Sequence, residues 1–329
     1  MTENKKRAYF HRIMGINIIT YVICWTVSFI SHYTTSVFLF GLYLLVIYSV
    51  LIAGTLFRRW IEKKYRNVEL NFVRYIGFEI FSFIFFTLLS LFMFLWSVTS
   101  HMDMIVFLVF FNLLIFVAIL LSVFDTPARI LMKKARKMND KEFETIVRKL
   151  ARNMEINDVE IGILPWKDLK IANAIQTGTG KTYVFITDYL FENLTWEENL
   201  AVIAHEFAHI RLNHLLKTQI AVFSILLSIP YFYLLPPVII HNASLASLIQ
   251  VSGIWGGIIL LFYFLTIVRR KYEIQADIEA SKYVPIKYLI SALSKLSDLN
   301  FIPRNISRAW GLDHPSISRR IERLKSEQK

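Results

Sequence analysis

Long apolar segments without basic residues are the feature that most constrains this chain. Six segments are long enough to cross a bilayer, which needs about 20 apolar residues. They lie at about 13–31, 37–57, 75–97, 104–125, 218–237 and 249–268. Hydrophobic residues make up 55% of the 329 residues and charged residues only 19%, against about 25% charged in soluble domains. The sequence therefore predicts an integral membrane protein with six transmembrane helices.

The basic residues are sorted by their position relative to these segments. All 37 lysines and arginines fall in the four stretches 1–12, 58–74, 129–217 and 269–329, whereas the short connectors near 31–36, 98–103 and 241–247 contain none. Cytoplasmic loops of membrane proteins carry the excess of Lys and Arg. Both termini and the two long polar segments are therefore predicted on the cytoplasmic side. The net charge of +12 is then a topology signal, and no nucleic-acid partner is predicted.

The composition divides the chain into two domains. Residues 1–128 are predicted to form a membrane domain with four helices, and 129–329 a cytoplasmic domain interrupted by a transmembrane hairpin at about 218–268. An amphipathic run from Asn139 to about Met154 predicts a helix in the second domain. Alternating or β-branched runs predict strands at 159–163, 171–175 and 183–187, the last two as a hairpin. The predicted fold is mainly α with a small sheet.

A glycine-containing turn between the last two strands resembles part of a phosphate-binding loop. Gly180-Lys181-Thr182 matches the end of that motif, but the position five residues before Gly180 holds Ile175 instead of glycine. The turn also leads into a strand and not into a helix, whose N-terminus would hold the phosphates. No nucleotide is therefore predicted to bind.

The most informative chemistry lies in one predicted helix. Thr195-Trp-Glu-Glu198 is a capping box, and the helix is predicted to run to about Lys217. It contains His205-Glu206-Phe207-Ala208-His209, an HExxH pattern in which both imidazoles project from one face and can bind one metal. Glu206 lies about 100° from His205 around the axis and can reach a metal-bound water. His214, about 180° from His205, is predicted as a surface or packing residue.

A catalytic zinc site needs three protein ligands and one open position. Glu273 and Asp277 lie beyond the last membrane hairpin, on the same predicted side as the HExxH helix, at i and i+4. They can supply one metal ligand and one carboxylate that orients a histidine. The sequence therefore predicts one Zn²⁺ per chain and no organic cofactor.

From about Lys141 to the C-terminus, the sequence resembles the M48 zinc metallopeptidases, which include HtpX and the CAAX prenyl proteases. The pairing of HExxH with ExxxAD across a membrane hairpin carries most of the resemblance. Its motifs, in chain order, are Asn173-Ala174, the Gly-Thr-Gly-Lys turn, Val184–Thr187 with Leu190, Ala204–Ile210, Glu273–Asp277, His314-Pro315 and Arg319–Leu324.

The resemblance implies a cytoplasmic α+β domain of the zincin type. In that family the positions of His205, His209 and Glu273 bind zinc. Glu206 is then the general base, and Asp277 supports a histidine ligand.

The resemblance also implies substrate contacts. Asn173 and Ala174 would bind the substrate backbone on an edge strand. His314 would donate to the developing oxyanion, with a structural role before a helix as the alternative. CAAX prenyl proteases look like a seven-helix chamber and HtpX like a four-helix protein. Six spans match neither, so prenylated-substrate specificity does not carry over.

The predicted function is a zinc-dependent metalloendopeptidase in a prokaryotic cell membrane. It would hydrolyse membrane-associated or misfolded polypeptides at the cytoplasmic face, using zinc-activated water and Glu206. Two alternatives stay open. An intramembrane, site-2-type metalloprotease would place the motif in a spanning helix and add an Asp-Gly pair, which this chain lacks. A non-catalytic zinc-binding sensor or scaffold would cut no substrate.

Overall fold

The computed structural model describes residues 2–30, 36–68, 126–138, 140–178, 181–305 and 315–327, with short helical stretches between 82 and 120. The chain divides into two compact units. Unit one comprises Met1–Asp103 with the short segments Asp168–Lys170 and Phe301–Pro303. Unit two comprises Met104–Lys167, Ile171–Asn300 and Arg304–Lys329. The domain boundary at residue 128 stays a prediction.

The described residues of unit one include two long helices, α1 (Glu3–Ile30) and α2 (Val37–Arg66). They approach closely at Gly54, where a Cβ atom would lie 2.5 Å from Oγ1 of Thr20. The side chain of Arg66 at the end of α2 donates to Glu62 and to the carbonyl oxygen of Lys170. The packing of unit one therefore combines a small-residue contact with a polar network at the end of α2.

Unit two is built from helices around a small sheet. Its strands are β1 (Val159–Leu164), β2 (Ala174–Thr177) and β3 (Thr182–Thr187). Its helices are α3 (Thr126–Lys134), α4 (Lys141–Asn153), α5 (Asp188–Asn193), α6 (Trp196–Arg211), α7 (His214–Ile239), α8 (Ala243–Tyr263), α9 (Arg269–Ala280), α10 (Ile286–Leu299) and α11 (Ile317–Ser326). A π-helix, Phe264–Val268, joins α8 directly to α9. The mostly helical fold with a small sheet is confirmed.

The sheet has the order β1-β3-β2, so β2 lies at an edge. Strands β1 and β3 are parallel, whereas β2 and β3 form the predicted antiparallel hairpin with Ala174 opposite Ile186. Gly178 in the turn has a φ of 101°, a left-handed conformation that glycine adopts without steric cost. The hairpin prediction is confirmed.

The start of β2 differs from the prediction. The strand was expected at 171–175 and begins at Ala174. The backbone N–H of Ala172 donates to Oδ1 of Asn300 at 3.0 Å, and the N–H of Asn173 donates to Oγ1 of Thr187 at 3.1 Å. Because side chains satisfy these two groups, the regular ladder starts later.

The predicted helix over 195–217 is interrupted. Helix α6 ends at Arg211, and a second helix, α7, begins at His214. The interruption is at Asn213, whose φ of 54° is left-handed, a conformation that asparagine tolerates better than most residues. The prediction of one continuous helix is therefore wrong, and His214 does not follow the angular spacing of α6.

Four of the six predicted spans coincide with described helices, and the other two lie largely outside the described residues. Within the described residues, Glu3–Ser28 and Val37–Arg66 are the two helices long and apolar enough to cross a membrane. The predicted spans 75–97 and 104–125 lie largely outside the described residues. The last two predicted spans coincide with α7, the π-helix and α8. Six spans therefore remain a prediction.

Candidate metal centre

Helix α6 places the two histidines of the HExxH pattern. Its capping box is present: N–H of Thr195 donates to Oε2 of Glu198 at 2.8 Å, and the N–H of Glu198 donates back to Oγ1 of Thr195. One face of α6 is fully buried, with Ala201, Ile203, Ala204, Phe207 and Ala208. With the helix fixed in this way, the Nε2 atoms of His205 and His209 lie 3.1 Å apart.

Helix α9 brings a carboxylate to the same point. It packs against α6 and buries both predicted acidic residues, Glu273 and Asp277. Oε2 of Glu273 lies 3.4 Å from Nε2 of His205, and its Oε1 lies 3.5 Å from Nε2 of His209. The structure therefore brings the three predicted ligands together, although about 60 residues separate the two helices in the chain.

The spacing of these donor atoms fits zinc. Zinc binds histidine nitrogen and carboxylate oxygen at about 2.0–2.2 Å in tetrahedral geometry, which places neighbouring donors about 3.3 Å apart. The three measured separations are 3.1, 3.4 and 3.5 Å. Two neutral imidazoles and one carboxylate form a ligand set known from catalytic zinc sites. The residues present thus fit a zinc ion in both chemistry and spacing.

Asp277 orients His205. Its Oδ1 lies 3.0 Å from Nδ1 of His205, so a hydrogen on Nδ1 leaves Nε2 available for a metal. Burial alone would raise the pKa of Asp277, but the charge and hydrogen bonds of Arg320 lower it. The carboxylate is therefore ionised and able to accept from His205.

Arg320 is a residue of the centre that the sequence interpretation missed. It lies on α11 and donates to both carboxylate oxygens of Asp277, each at 2.7 Å. Its Nη1 lies 3.3 Å from Oε2 of Glu273. The residue is nearly buried while its neighbour Arg319 is exposed. This difference in burial depends on which side of α11 packs against the rest of the protein. A run of basic residues in the sequence does not reveal that side.

His214 also joins the centre, contrary to the prediction that placed it opposite the metal ligands. The ring is buried, its Nδ1 lies 3.0 Å from Nδ1 of His209, and its Nε2 lies 3.2 Å from Oε1 of Gln275. Burial lowers the pKa of His214 to about 4. Burial likewise lowers the pKa of His209 to about 3. Both rings are therefore neutral at physiological pH.

Glu206 lies in the wall of a cleft of about 320 Å³ that also contains the three ligands. The backbone N–H of Gln176 on β2 donates to Oε2 of Glu206 at 3.1 Å. Apolar residues of α10 line another part of the wall: Leu289, Ala292, Leu293 and Leu296. The cleft therefore combines a carboxylate, a metal-binding set, an edge strand and an apolar surface.

The predicted substrate-binding residues lie at this cleft. Asn173 is exposed and Ala174 begins β2, and both line the cleft. The N–H of Thr187 donates to the carbonyl oxygen of Asn173. Since backbone groups alternate in direction along an antiparallel strand, those of Ala174 point away from β3. His314, the predicted oxyanion donor, lies outside the described residues.

We expect Arg320→Met to destabilise the protein, because it leaves Asp277 as a buried carboxylate without its cationic partner. Removing one partner of a buried pair costs about 3–5 kcal/mol, so the midpoint of thermal unfolding in detergent should fall clearly. Arg319→Met, at the exposed neighbouring position, should change stability by less than about 0.5 kcal/mol. Adding Asp277→Asn to Arg320→Met should recover part of the loss. Equal midpoints for the two arginine variants would contradict this account.

Part of this chain is similar to two curated proteins. Each is named CAAX prenyl protease 1 homolog, one from Mus musculus and one from Homo sapiens, and each is 30% identical to this chain over 151 residues. The matched part covers 40% of this chain and 30% of each relative, so it spans less than a third of their length.

A solved structure shows the same fold. The crystal structure of S. mikatae Ste24p superimposes with a TM-score of 0.62 at 20% identity, covering 86% of this chain and 74% of that protein. The family model for peptidase family M48 matches residues 137–328, which include the HExxH helix, Glu273, Asp277 and Arg320. This match extends over more than half of the chain, and the chain therefore belongs to peptidase family M48.

Proposed function

We propose that this protein is a zinc-dependent endopeptidase of the membrane that hydrolyses membrane-associated or misfolded polypeptides at the cytoplasmic face. The observation that carries the proposal is the convergence of His205, His209 and Glu273 at zinc-ligand spacing. Glu206 lies in the same cleft. A purely structural zinc site fills its fourth position with another protein ligand. This site instead offers three ligands, and the carboxylate of Glu206 lies beside them without belonging to the ligand set.

His205, His209 and Glu273 would hold the zinc ion. When bound, zinc lowers the pKa of a coordinated water toward about 7 and polarises the scissile carbonyl. Glu206 accepts the proton of the attacking water and later delivers it to the leaving amine. The N–H of Gln176 fixes one oxygen of Glu206, so the carboxylate is oriented before substrate binds. His314 is proposed as a donor to the oxyanion of the tetrahedral intermediate.

The site-2-type alternative receives less support. Helix α6 has 16 residues, fewer than the about 20 that a span requires. It packs against β2, β3 and the helices α4, α7, α9 and α10 of unit two. These features argue against a motif inside a spanning helix, and we propose that the reaction takes place in a cytoplasmic domain.

Glu206→Gln should bind zinc as the wild type does and lose most proteolysis. The amide keeps the size of the side chain and can still accept from Gln176, but it cannot take the proton of water. General base catalysis contributes about 10²- to 10⁴-fold, so kcat for casein cleavage in detergent should fall by that factor. Zinc content is measured in parallel by metal analysis.

The matched control is Glu197→Gln, an identical change at an exposed position of the same helix. It should retain both zinc and activity. Undiminished cleavage by zinc-loaded Glu206→Gln would contradict the proposed base. A wild-type protein that binds zinc and cuts no polypeptide would favour the sensor or scaffold alternative.

The edge strand β2 offers a surface for an extended substrate. We infer that the substrate adds as a strand alongside Asn173 and Ala174, with backbone groups of Ala174 directed away from β3. Specificity would then come from pockets for alternate side chains, among them the apolar wall formed by α10. This mode suits a peptidase that acts on many unfolded sequences, because backbone hydrogen bonds do not depend on side-chain identity.

Ala174→Pro should weaken substrate binding without breaking the hairpin. Proline removes an N–H that points away from β3, while the bonds of Asn173 and Ile175 to β3 stay possible. One hydrogen bond contributes about 0.5–1.5 kcal/mol, so kcat/KM for a peptide substrate should fall about 3- to 10-fold, mainly through KM. Zinc affinity should not change. An unaltered kcat/KM would argue against strand addition at this residue.

The membrane topology is part of the proposal. We propose six spans in a prokaryotic cell membrane, with a membrane domain over 1–128 and a peptidase domain over 129–329. The distribution of basic residues supports the placement of both termini in the cytoplasm. The connector at 241–247 then faces the opposite side from α11.

Cysteine labelling tests this topology. In a Cys24→Ser background, which removes the single native cysteine, His241→Cys should react with a membrane-impermeant maleimide in intact cells. Ser326→Cys should react only after permeabilisation. Both positions are exposed, so burial does not account for a difference. Labelling of both sites in intact cells would overturn the cytoplasmic placement of the active site.

A further inference from the structure

His214 occupies an unusual position beside the candidate zinc ligands. It is the first residue of α7, directly after the left-handed Asn213. The turn at Asn213 carries the chain out of α6 and directs the imidazole of His214 back toward His209. The residue is 3% exposed, and its two ring nitrogens face His209 on one side and Gln275 on the other.

The hydrogen bonds of His214 define which nitrogen of His209 carries a hydrogen. Oε1 of Gln275 is an amide oxygen and can only accept, so Nε2 of His214 is the donor in that 3.2 Å contact. A neutral imidazole has one N–H. Nδ1 of His214 must then accept from Nδ1–H of His209, 3.0 Å away. His209 is left with a lone pair on Nε2, the atom nearest the other ligands.

The opposite order of hydrogens is incompatible with a metal. Were the amide nitrogen of Gln275 directed at His214, Nδ1 of His214 would become the donor. His209 would then accept on Nδ1 and carry its hydrogen on Nε2, where a metal ligand needs a lone pair. A bound metal and the acceptor oxygen of Gln275 therefore select the same arrangement of both rings.

Packing holds the ring of His214 in place. It stacks on Tyr272 with centroids 4.2 Å apart and an interplanar angle of 10°. Phe264, in the π-helix, lies edge-on to the ring of Tyr272, with centroids 6.5 Å apart. Tyr272 and Gln275 both belong to α9, the helix that supplies Glu273. The position of His214 is therefore fixed by the same element that contributes the third ligand.

We propose that His214 is a positioning residue for His209, and that Gln275 sets the hydrogen-bond direction of the His209–His214 pair. His214 does not bind the metal in this proposal. It performs for His209 the task that Asp277 performs for His205. The inference rests on the proposed zinc site. Losing such an outer partner costs about 10- to 100-fold in metal affinity.

The test measures zinc affinity separately from turnover. His214→Phe keeps an aromatic ring for Tyr272 but has no nitrogen to accept from His209. Its zinc dissociation constant, from chelator competition in detergent micelles at fixed pH, should rise 10- to 100-fold. The visible absorption spectrum of the Co²⁺-loaded protein should change in band position, because His209 can rotate. Wild-type affinity and spectrum in His214→Phe would overturn the proposal.

A pair of substitutions at Gln275 covers the case in which His214→Phe fails to fold. Gln275 is exposed, so changes there have little effect on the core. Gln275→Glu keeps an acceptor for Nε2–H of His214 and should bind zinc at least as tightly as the wild type. Gln275→Leu removes the acceptor and should bind more weakly than Gln275→Glu. Equal affinities in the two variants would overturn the role of Gln275.

The readouts also separate this inference from the proposed function. Glu206→Gln reports on peptide hydrolysis and should leave zinc affinity intact. If Glu206→Gln still cleaves casein while His214→Phe binds zinc weakly, the proposed base is wrong and the positioning role stands. If Glu206→Gln is inactive and His214→Phe binds zinc normally, the peptidase assignment stands and the positioning role is wrong.

Discussion

The carboxylate of Asp277 is the interaction on which the centre depends. It accepts two hydrogen bonds from Arg320 and lies 3.0 Å from Nδ1 of His205, so one buried group joins α6, α9 and α11. A buried carboxylate is stable only when it is paired and hydrogen-bonded. The ion pair that stabilises the buried Asp277 therefore also fixes the ring of His205, whose Nε2 faces the candidate metal centre. Folding and assembly of this centre depend on the same contacts.

The parts of the fold that the sequence predicts well are determined locally. The capping box at Thr195 depends on residues within one turn, and the i,i+4 spacing of His205 and His209 places both rings on one face of any helix. The strand over 182–187 likewise follows from a β-rich run. In each case the information lies within a few residues, so it can be read without knowing what packs against the segment.

The parts that escaped prediction depend on tertiary contacts. Nothing in the run Arg319-Arg320 distinguishes the two arginines, because burial of Arg320 is decided by where α11 meets α9. The left-handed Asn213 is one residue in an otherwise helical pattern, yet it ends α6 and converts His214 from a residue on the far side of a helix into a neighbour of His209. The start of β2 differs from the prediction for a similar reason, because the backbone N–H of Ala172 donates to Asn300, a residue distant in sequence.

The left-handed Asn213 and the π-helix, the two backbone irregularities near the centre, have the same structural role. The HExxH helix and the helix with Glu273 are separated in the chain by the apolar pair α7 and α8, so each junction must set the rotation of the element that carries ligands. At the first junction, Asn213 turns the chain so that His214 faces the candidate metal ligand His209. At the second junction, a π-helix joins α8 to α9 without a loop. Its wider turn changes the direction in which the side chains of α9 project around the helix axis. Tyr272 links the two junctions, because it stacks on His214 and contacts Phe264 of the π-helix. The geometry around the candidate metal site is therefore set at two points: where α7 begins and where α8 ends.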